Sequence, residues 1–167
     1  MTAFDFVRRT TQLGDRGLTL QVLAGAQDWA ARVLESHRSN KLVALYRSQR
    51  GNEPWLAVLT TLLDASALWM TLPRGGPQQG ATETFGVARR VVQDLAGIFR
   101  LKPGPPAADR LPHARFQELC RLLSAAGMEL SDSAETERKL AEVRRTYEPY
   151  AYVLSQFLFV ELPAWIE

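Results

Sequence analysis

The sequence predicts an all-α chain, a compact bundle of about six or seven helices with a central buried helical hairpin. Three observations carry this. Apolar residues recur at three- and four-residue spacing in successive stretches, which places them on one face of a helix. Clusters of proline, glycine and amides separate those stretches, most plainly PRGGPQQG at 73–80 and KPGPPAADRLP at 102–112. No alternating strand pattern and no internal repeat is present.

Taken in order, residues 4–20 are helix-like but interrupted by Arg8, Arg9, Asp15 and Arg16, and 1–20 is read as a peripheral arm. Val22, Leu23, Ala26, Trp29, Ala30, Val33 and Leu34 make 18–37 one amphipathic helix, ended by the polar run ESHRSN. Leu42, Val43, Leu45 and Tyr46 suggest a short helix over 41–49, with Lys41, Arg47 and Gln49 on its other face. Asn52 can cap the next helix, with Pro54 in its first turn, where a missing N–H costs nothing. From Pro54 to Leu72 apolar residues occupy every side and Asp64 is the only charge, so this helix should be surrounded by protein. Its length also suits a membrane span, but Thr60, Thr61, Asp64 and Ser66 in its middle favour a core helix.

The turn residues at 73–80 join it to a second helix over about 82–100, with a stripe of Phe85, Ala88, Val91, Val92, Leu95, Ile98 and Phe99. So short a connection predicts an antiparallel hairpin. The proline-rich stretch at about 101–112 is read as a loop within a single domain spanning 1–167, because neither side offers a complete core. Phe116, Leu119, Cys120, Leu122 and Leu123 predict a helix over 113–126, with Gly127 at its end. Asp132 and Glu135 have the spacing of a capping box and open a last long helix, which Pro149 should kink or break before AYVLSQFLF resumes.

A chain of 167 residues, 46% hydrophobic and 23% charged, can bury a core without covalent staples. Its net charge of +2 is far from the excess that grips many phosphates, so nucleic acid is not an expected partner. Residues 1–50 hold eight Lys/Arg against four acids, a surplus read as solvated helix faces, with an anionic membrane surface as the alternative. Cys120 is the only cysteine, which excludes an intrachain disulfide, and two histidines beside it are too few for a structural zinc site. The first 20 residues lack the continuous apolar core of a signal peptide, and a reducing, cytoplasmic compartment is expected.

No phosphate-cradling loop, zinc-ligand pair or nucleophile elbow appears, and no enzyme activity, cofactor or metal is expected. His37 and His113 stand in polar contexts and are read as surface histidines, and Cys120 as an inert thiol on an apolar face. Asp64 is the residue that local rules leave unexplained, since a carboxylate in a buried helix must be paired, hydrogen-bonded or neutralised. Arg47, Arg89 and Arg90 are its candidate partners, in an ion pair or hydrogen-bond network that would lock the 41–50 segment onto the hairpin, with a functional carboxylate as the alternative. Glu35, His37, Arg47, Gln49, Asn52 and Trp55 can gather at the same corner, either around a small polar ligand or for capping and packing alone. Trp29, Trp55, Trp69 and Trp165 are read as core or interface anchors.

The stretch WAARVLESHRSNKLVALYRSQRGNEPWLAVLTTLLDASALWM carries Trp29, then Glu35-Ser36-His37, Tyr46-Arg47-Ser48-Gln49, Trp55-Leu56 and Leu63-Asp64. In that order these strings resemble the cytoplasmic region that follows the pore in bacterial two-transmembrane potassium-channel-like proteins. Pro54 stands where the family has Ser before the tryptophan. TFGVARRVVQDLAGIF is similar to the family's second hairpin helix and YEPYAYVLSQFLFVELPAWI to its terminal segment, so the likeness covers about residues 25–167. The two pore-flanking helices and the Thr-x-Gly-Tyr-Gly type of filter are absent, and this chain cannot itself conduct ions. The resemblance implies a cytoplasmic regulatory or assembly domain, a homo-oligomer, attached to or associated with a pore. It leaves open a fragment of a channel, a free-standing relative, and a free-standing sensor of an unknown small molecule.

Overall fold

The computed structural model describes residues 1–12, 16–39, 55–71, 77–106, 108–128, 130 and 133–166. Seven helices and no strands are found among them, packed as a compact all-α bundle. They are α1 (Ala3–Gln12), α2 (Arg16–Ser39), α3 (Trp55–Thr71), α4 (Gln78–Ile98), α5 (His113–Ala125), α6 (Ser133–Arg144) and α7 (Glu148–Leu158).

The centre is the predicted hairpin of α3 and α4. Thirteen of the seventeen residues of α3 are buried, which requires neighbours on all sides. Those neighbours are α4 along its length, α1, α6 and α7, with α2 touching it more lightly. The outer side of α4 carries α2, and α7 closes the hairpin at another edge. One continuous apolar cluster runs through Leu56, Leu59, Leu63 and Leu68 of α3, Phe85, Val92 and Leu95 of α4, Phe116 and Leu119 of α5, Leu140 of α6 and Leu154 of α7.

Residues 1–20, expected as an arm, hold α1 and the start of α2, and Ala3 and Val7 are fully buried where α1 packs on α3. A reciprocal cap starts α1: the Asp5 N–H donates to Thr2 Oγ1 (3.1 Å) and the Thr2 N–H to Asp5 Oδ2 (3.2 Å). This is the capping-box arrangement with Asp in place of Glu. Three helices end by the same device, a residue with positive φ after the last turn and a bond from the next N–H back to the carbonyl five residues earlier. Gly127 does this after α5, as its position predicts, through Met128 N–H to Leu123 O (3.1 Å). Arg100 after α4 (Leu101 N–H to Ala96 O, 2.8 Å) and Phe159 after α7 (Val160 N–H to Ser155 O, 3.0 Å) do so without the freedom of glycine.

Pro149 breaks the last long helix as expected. Thr146 and Tyr147 donate back to Val143 and Arg144, and α7 then restarts with Pro149 in its first turn. The expected short helix over 41–49 and the caps at Asn52 and Asp132 lie outside the described residues.

On α2 and α4 the close approach is at Gly80, where an added Cβ would sit 2.6 Å from Leu20 Cδ2 and 3.3 Å from Leu23 Cδ1. At Gly86, one face round on the same helix, an added Cβ meets nothing within 4 Å. Gly86→Ala should therefore raise the unfolding free energy by about 1 kcal/mol, the full helix-propensity gain. Gly80→Ala should gain clearly less, because the Leu20 methyl must swing away. Urea unfolding of the two variants, with an unchanged slope, checks the difference.

Candidate functional site

The strongest polar feature of the molecule is a buried charge cluster centred on Asp64. The side chain of Asp64, in the middle of α3, has no exposed surface. Its two oxygens accept a bidentate fork from Arg110, Nη1 to Oδ1 (3.3 Å) and Nη2 to Oδ2 (2.5 Å). The Tyr147 hydroxyl donates to Oδ1 as well (2.5 Å). Arg110 also donates through Nη1 to Glu148 Oε1 (3.2 Å) and through Nη2 to the carbonyl of Pro163 (2.6 Å).

A second arginine continues the network. Arg144 Nε donates to the same Glu148 Oε1 (3.0 Å), Nη1 to Leu111 O (3.3 Å) and Nη2 to Asp109 Oδ1. Asp109 Oδ1 in turn accepts from the Leu111 N–H (2.9 Å), which sets the turn that presents Arg110. The Trp165 ring lies against both guanidinium groups, 5.8 Å from Arg110 Cζ and 5.5 Å from Arg144 Cζ. Five segments thus meet here: α3, the proline-rich loop, the end of α6, the start of α7, and the chain after α7.

Three carboxylates face two guanidinium groups, so full ionisation would leave an excess negative charge in a desolvated place. The conflict falls on Glu148. Burial pushes its carboxyl above the ordinary value, and Arg144 and Arg110 pull it down without prevailing. Asp109 behaves oppositely: partial burial works to raise it, but bonds from Arg144 and the Leu111 N–H and both arginine charges hold it below the ordinary value. Burial, and then the Asp64 charge, hold the Tyr147 phenol well above its usual range, so it stays a neutral donor. Burial opposes the Arg110 charge, and Asp64 more than offsets it, keeping the guanidinium firmly protonated.

Chemically, this arrangement holds rather than reacts. Every oxygen of Asp64 is engaged and none is open to an incoming atom, so its role is to fix the five segments in register. A buried ion pair of this kind adds little net stability compared with an apolar replacement, but removing one partner is costly.

Several sequence expectations are corrected. Asp64 is paired, but with Arg110 and Tyr147. Arg89 instead lies over the Phe85 ring (5.9 Å), Arg90 is exposed, and Arg47 is outside the described residues. The lock therefore engages the proline-rich loop and α7. Asp64 is also not part of the Trp55 corner: nine residues separate them on α3, about 13 Å along the axis and on the opposite face. At that corner His37 is buried, not superficial, with Nδ1 2.6 Å from Val33 O and its ring 4.8 Å from the Trp55 ring. Glu35 is exposed nearby and accepts from Ser39 Oγ (3.4 Å), while Gln49 and Asn52 lie outside the described residues. His113 is exposed as expected and pairs with Glu137 (2.9 Å).

The sequence reading points to neither Arg110 nor Tyr147 as a partner of Asp64, nor to Arg144, Glu148 and Trp165 as the residues that continue its network. The one signal the sequence carries is the need of a buried carboxylate for a cation, which does not say which cation. Among the described residues no three His, Cys, Asp or Glu side chains are grouped to hold a metal ion, and no helix is long and apolar enough to cross a membrane.

Asp64→Asn should lower the unfolding free energy by about 3 kcal/mol, because it removes the bidentate counter-charge of the buried Arg110. Glu148→Gln keeps an oxygen for both arginines and should cost about 1 kcal/mol or less; urea unfolding at neutral pH separates the two.

The same variant tests the pH dependence. The folded chain keeps a proton on Glu148 just above the ordinary value of 4.5, where the unfolded chain has lost it. Its contribution is complete below 4.5 and is lost as pH rises through the folded value. Asp109 contributes above its ordinary 3.8 and is lost as pH falls through its lower folded value. Unfolding measured from acidic to neutral pH should show the Glu148 decline in the parent chain and not in Glu148→Gln.

Compared with family models, with curated proteins and with solved structures, the chain matches none.

Proposed function

We propose that this chain is a helical regulatory or assembly domain of a bacterial potassium-channel-like membrane protein, acting at the cytoplasmic side of a pore it does not itself contain. It works as a homo-oligomeric structural module, not as an enzyme. The observation that carries this reading is where the family-like strings come together. Asp64, from the Leu63-Asp64 string, meets Tyr147, Glu148, Pro163 and Trp165, all from the terminal string, in one buried cluster. Strings that are separate in the chain thus belong to one folded device, as they would in a domain that transmits strain between distant segments.

The cluster suits that role physically. It joins five segments through directional bonds, so displacement of one is felt by the others, and coupling of two sites requires such a shared element. The competing reading is a free-standing sensor of a small molecule. A cavity of about 140 Å³ between Met1, Ala57, Val58, Thr61 and Pro163 is well below the roughly 300–1,000 Å³ of typical ligand sites.

The test is functional. The chain is attached behind the two-helix pore segment of a bacterial potassium channel whose own post-pore region has been removed, and potassium flux is followed in liposomes. Flux should change when the domain is present and change again with Asp64→Asn. Flux indifferent to the domain, together with a thermal shift on adding small metabolites, would favour the sensor.

A further inference from the structure

The segment after α7 binds the rest of the molecule at its far end. Residues 160–164 are exposed or half-buried, and then Trp165 and Ile166 are almost completely buried. Among the described contacts, three fix this arm: Arg110 Nη2 to Pro163 O (2.6 Å), the Phe4 N–H to Trp165 O (3.2 Å), and the Trp165 ring against Arg110 and Arg144. The arm therefore occupies a shaped cradle made by α1, the proline-rich loop and α6.

Its hinge is Phe159, which is 96% exposed and held in the left-handed region at φ 54°, ψ 44°. Phenylalanine disfavours that conformation, and no burial of its ring compensates. The same residue closes α7, with Val160 N–H donating to Ser155 O (3.0 Å), and turns the chain back toward its own cradle. An arm that runs straight on from α7 leaves Phe159 in an ordinary extended conformation.

We infer that two copies of this chain exchange their 159–166 arms, each Trp165 seating between Arg110 and Arg144 of the other copy. A cradle that fits this segment fits it equally whichever copy supplies it, so exchange recovers the Pro163 and Trp165 contacts and gives up only the Val160–Ser155 bond at the hinge. Each exchanged hinge is also relieved of its left-handed residue, worth roughly tenfold in the equilibrium per hinge. Against this stands the advantage of the tethered arm, an effective concentration on the order of millimolar. The pair thus forms as protein concentration rises. The inference does not depend on the channel reading, and it adds to the homo-oligomer proposed above the segment that joins two copies.

Substitutions at the hinge move the equilibrium in opposite directions. Valine tolerates the left-handed region less than phenylalanine, and asparagine tolerates it well. Light scattering of the full chain over a range of concentrations should show a dimer whose dissociation constant falls severalfold in Phe159→Val and rises severalfold in Phe159→Asn. A second measurement needs no variant: in a dimer made from a mixture of isotope-labelled and unlabelled chains, isotope-filtered NMR should place the Trp165 ring of one copy beside Arg144 of the other. A chain that stays monomeric at all concentrations, equal dimerisation of the Val and Asn variants, or Trp165 contacts confined to one copy would each overturn the exchange.

Discussion

The fold depends on one desolvated carboxylate. Asp64 sits in the middle of the most buried helix, and the arrangement of the other segments can be understood from what it needs. It requires a cation delivered without solvent, so the proline-rich loop carries Arg110 inward. It requires a neutral donor, so the chain breaks between α6 and α7 where Tyr147 can face it. The arginine fork then has spare donors, and these collect Glu148 and the carbonyl of Pro163. Apolar residues in place of the whole Asp64–Arg110 pair would pack as well in energy but would impose none of these directions.

Glu148 shows how such a cluster balances its charge. Two arginines cannot neutralise three carboxylates, and of the two acids that Arg144 bridges, the buried Glu148 holds its proton more tightly than usual while the exposed Asp109 holds it less tightly. Asp109, at the exposed edge, stays ionised because water and Arg144 both serve it. From Asp109 to Glu148 the step from solvent inward is thus also a step in proton affinity.

Much of the architecture was legible in the sequence for a simple reason: helix faces and turn residues are local signals. The α3–α4 hairpin, the stop at Gly127 and the break at Pro149 follow from periodicity, glycine and proline within a few positions. The need for a partner at Asp64 was legible too, since burial of a lone charge is excluded by its hydration cost. The identity of that partner was not. Arg110 is 46 residues away and Tyr147 is 83, and nothing in the local pattern of either announces the contact. At the Trp55 corner, helix phase and packing bear on two of the residues. Helix geometry alone sets Asp64 half a turn out of phase with Trp55, and burial of His37 depends on packing against that tryptophan ring.

The same long separations bear on the order in which the molecule is built. The α3–α4 hairpin is local and can form early, but Asp64 then lacks both its arginine and its tyrosine. Until the later segments arrive, the most apolar helix of the chain carries an unneutralised charge at its centre. Early burial of that helix, in an aggregate or in a bilayer, is penalised during synthesis, and the penalty lifts only when the last third of the chain has docked.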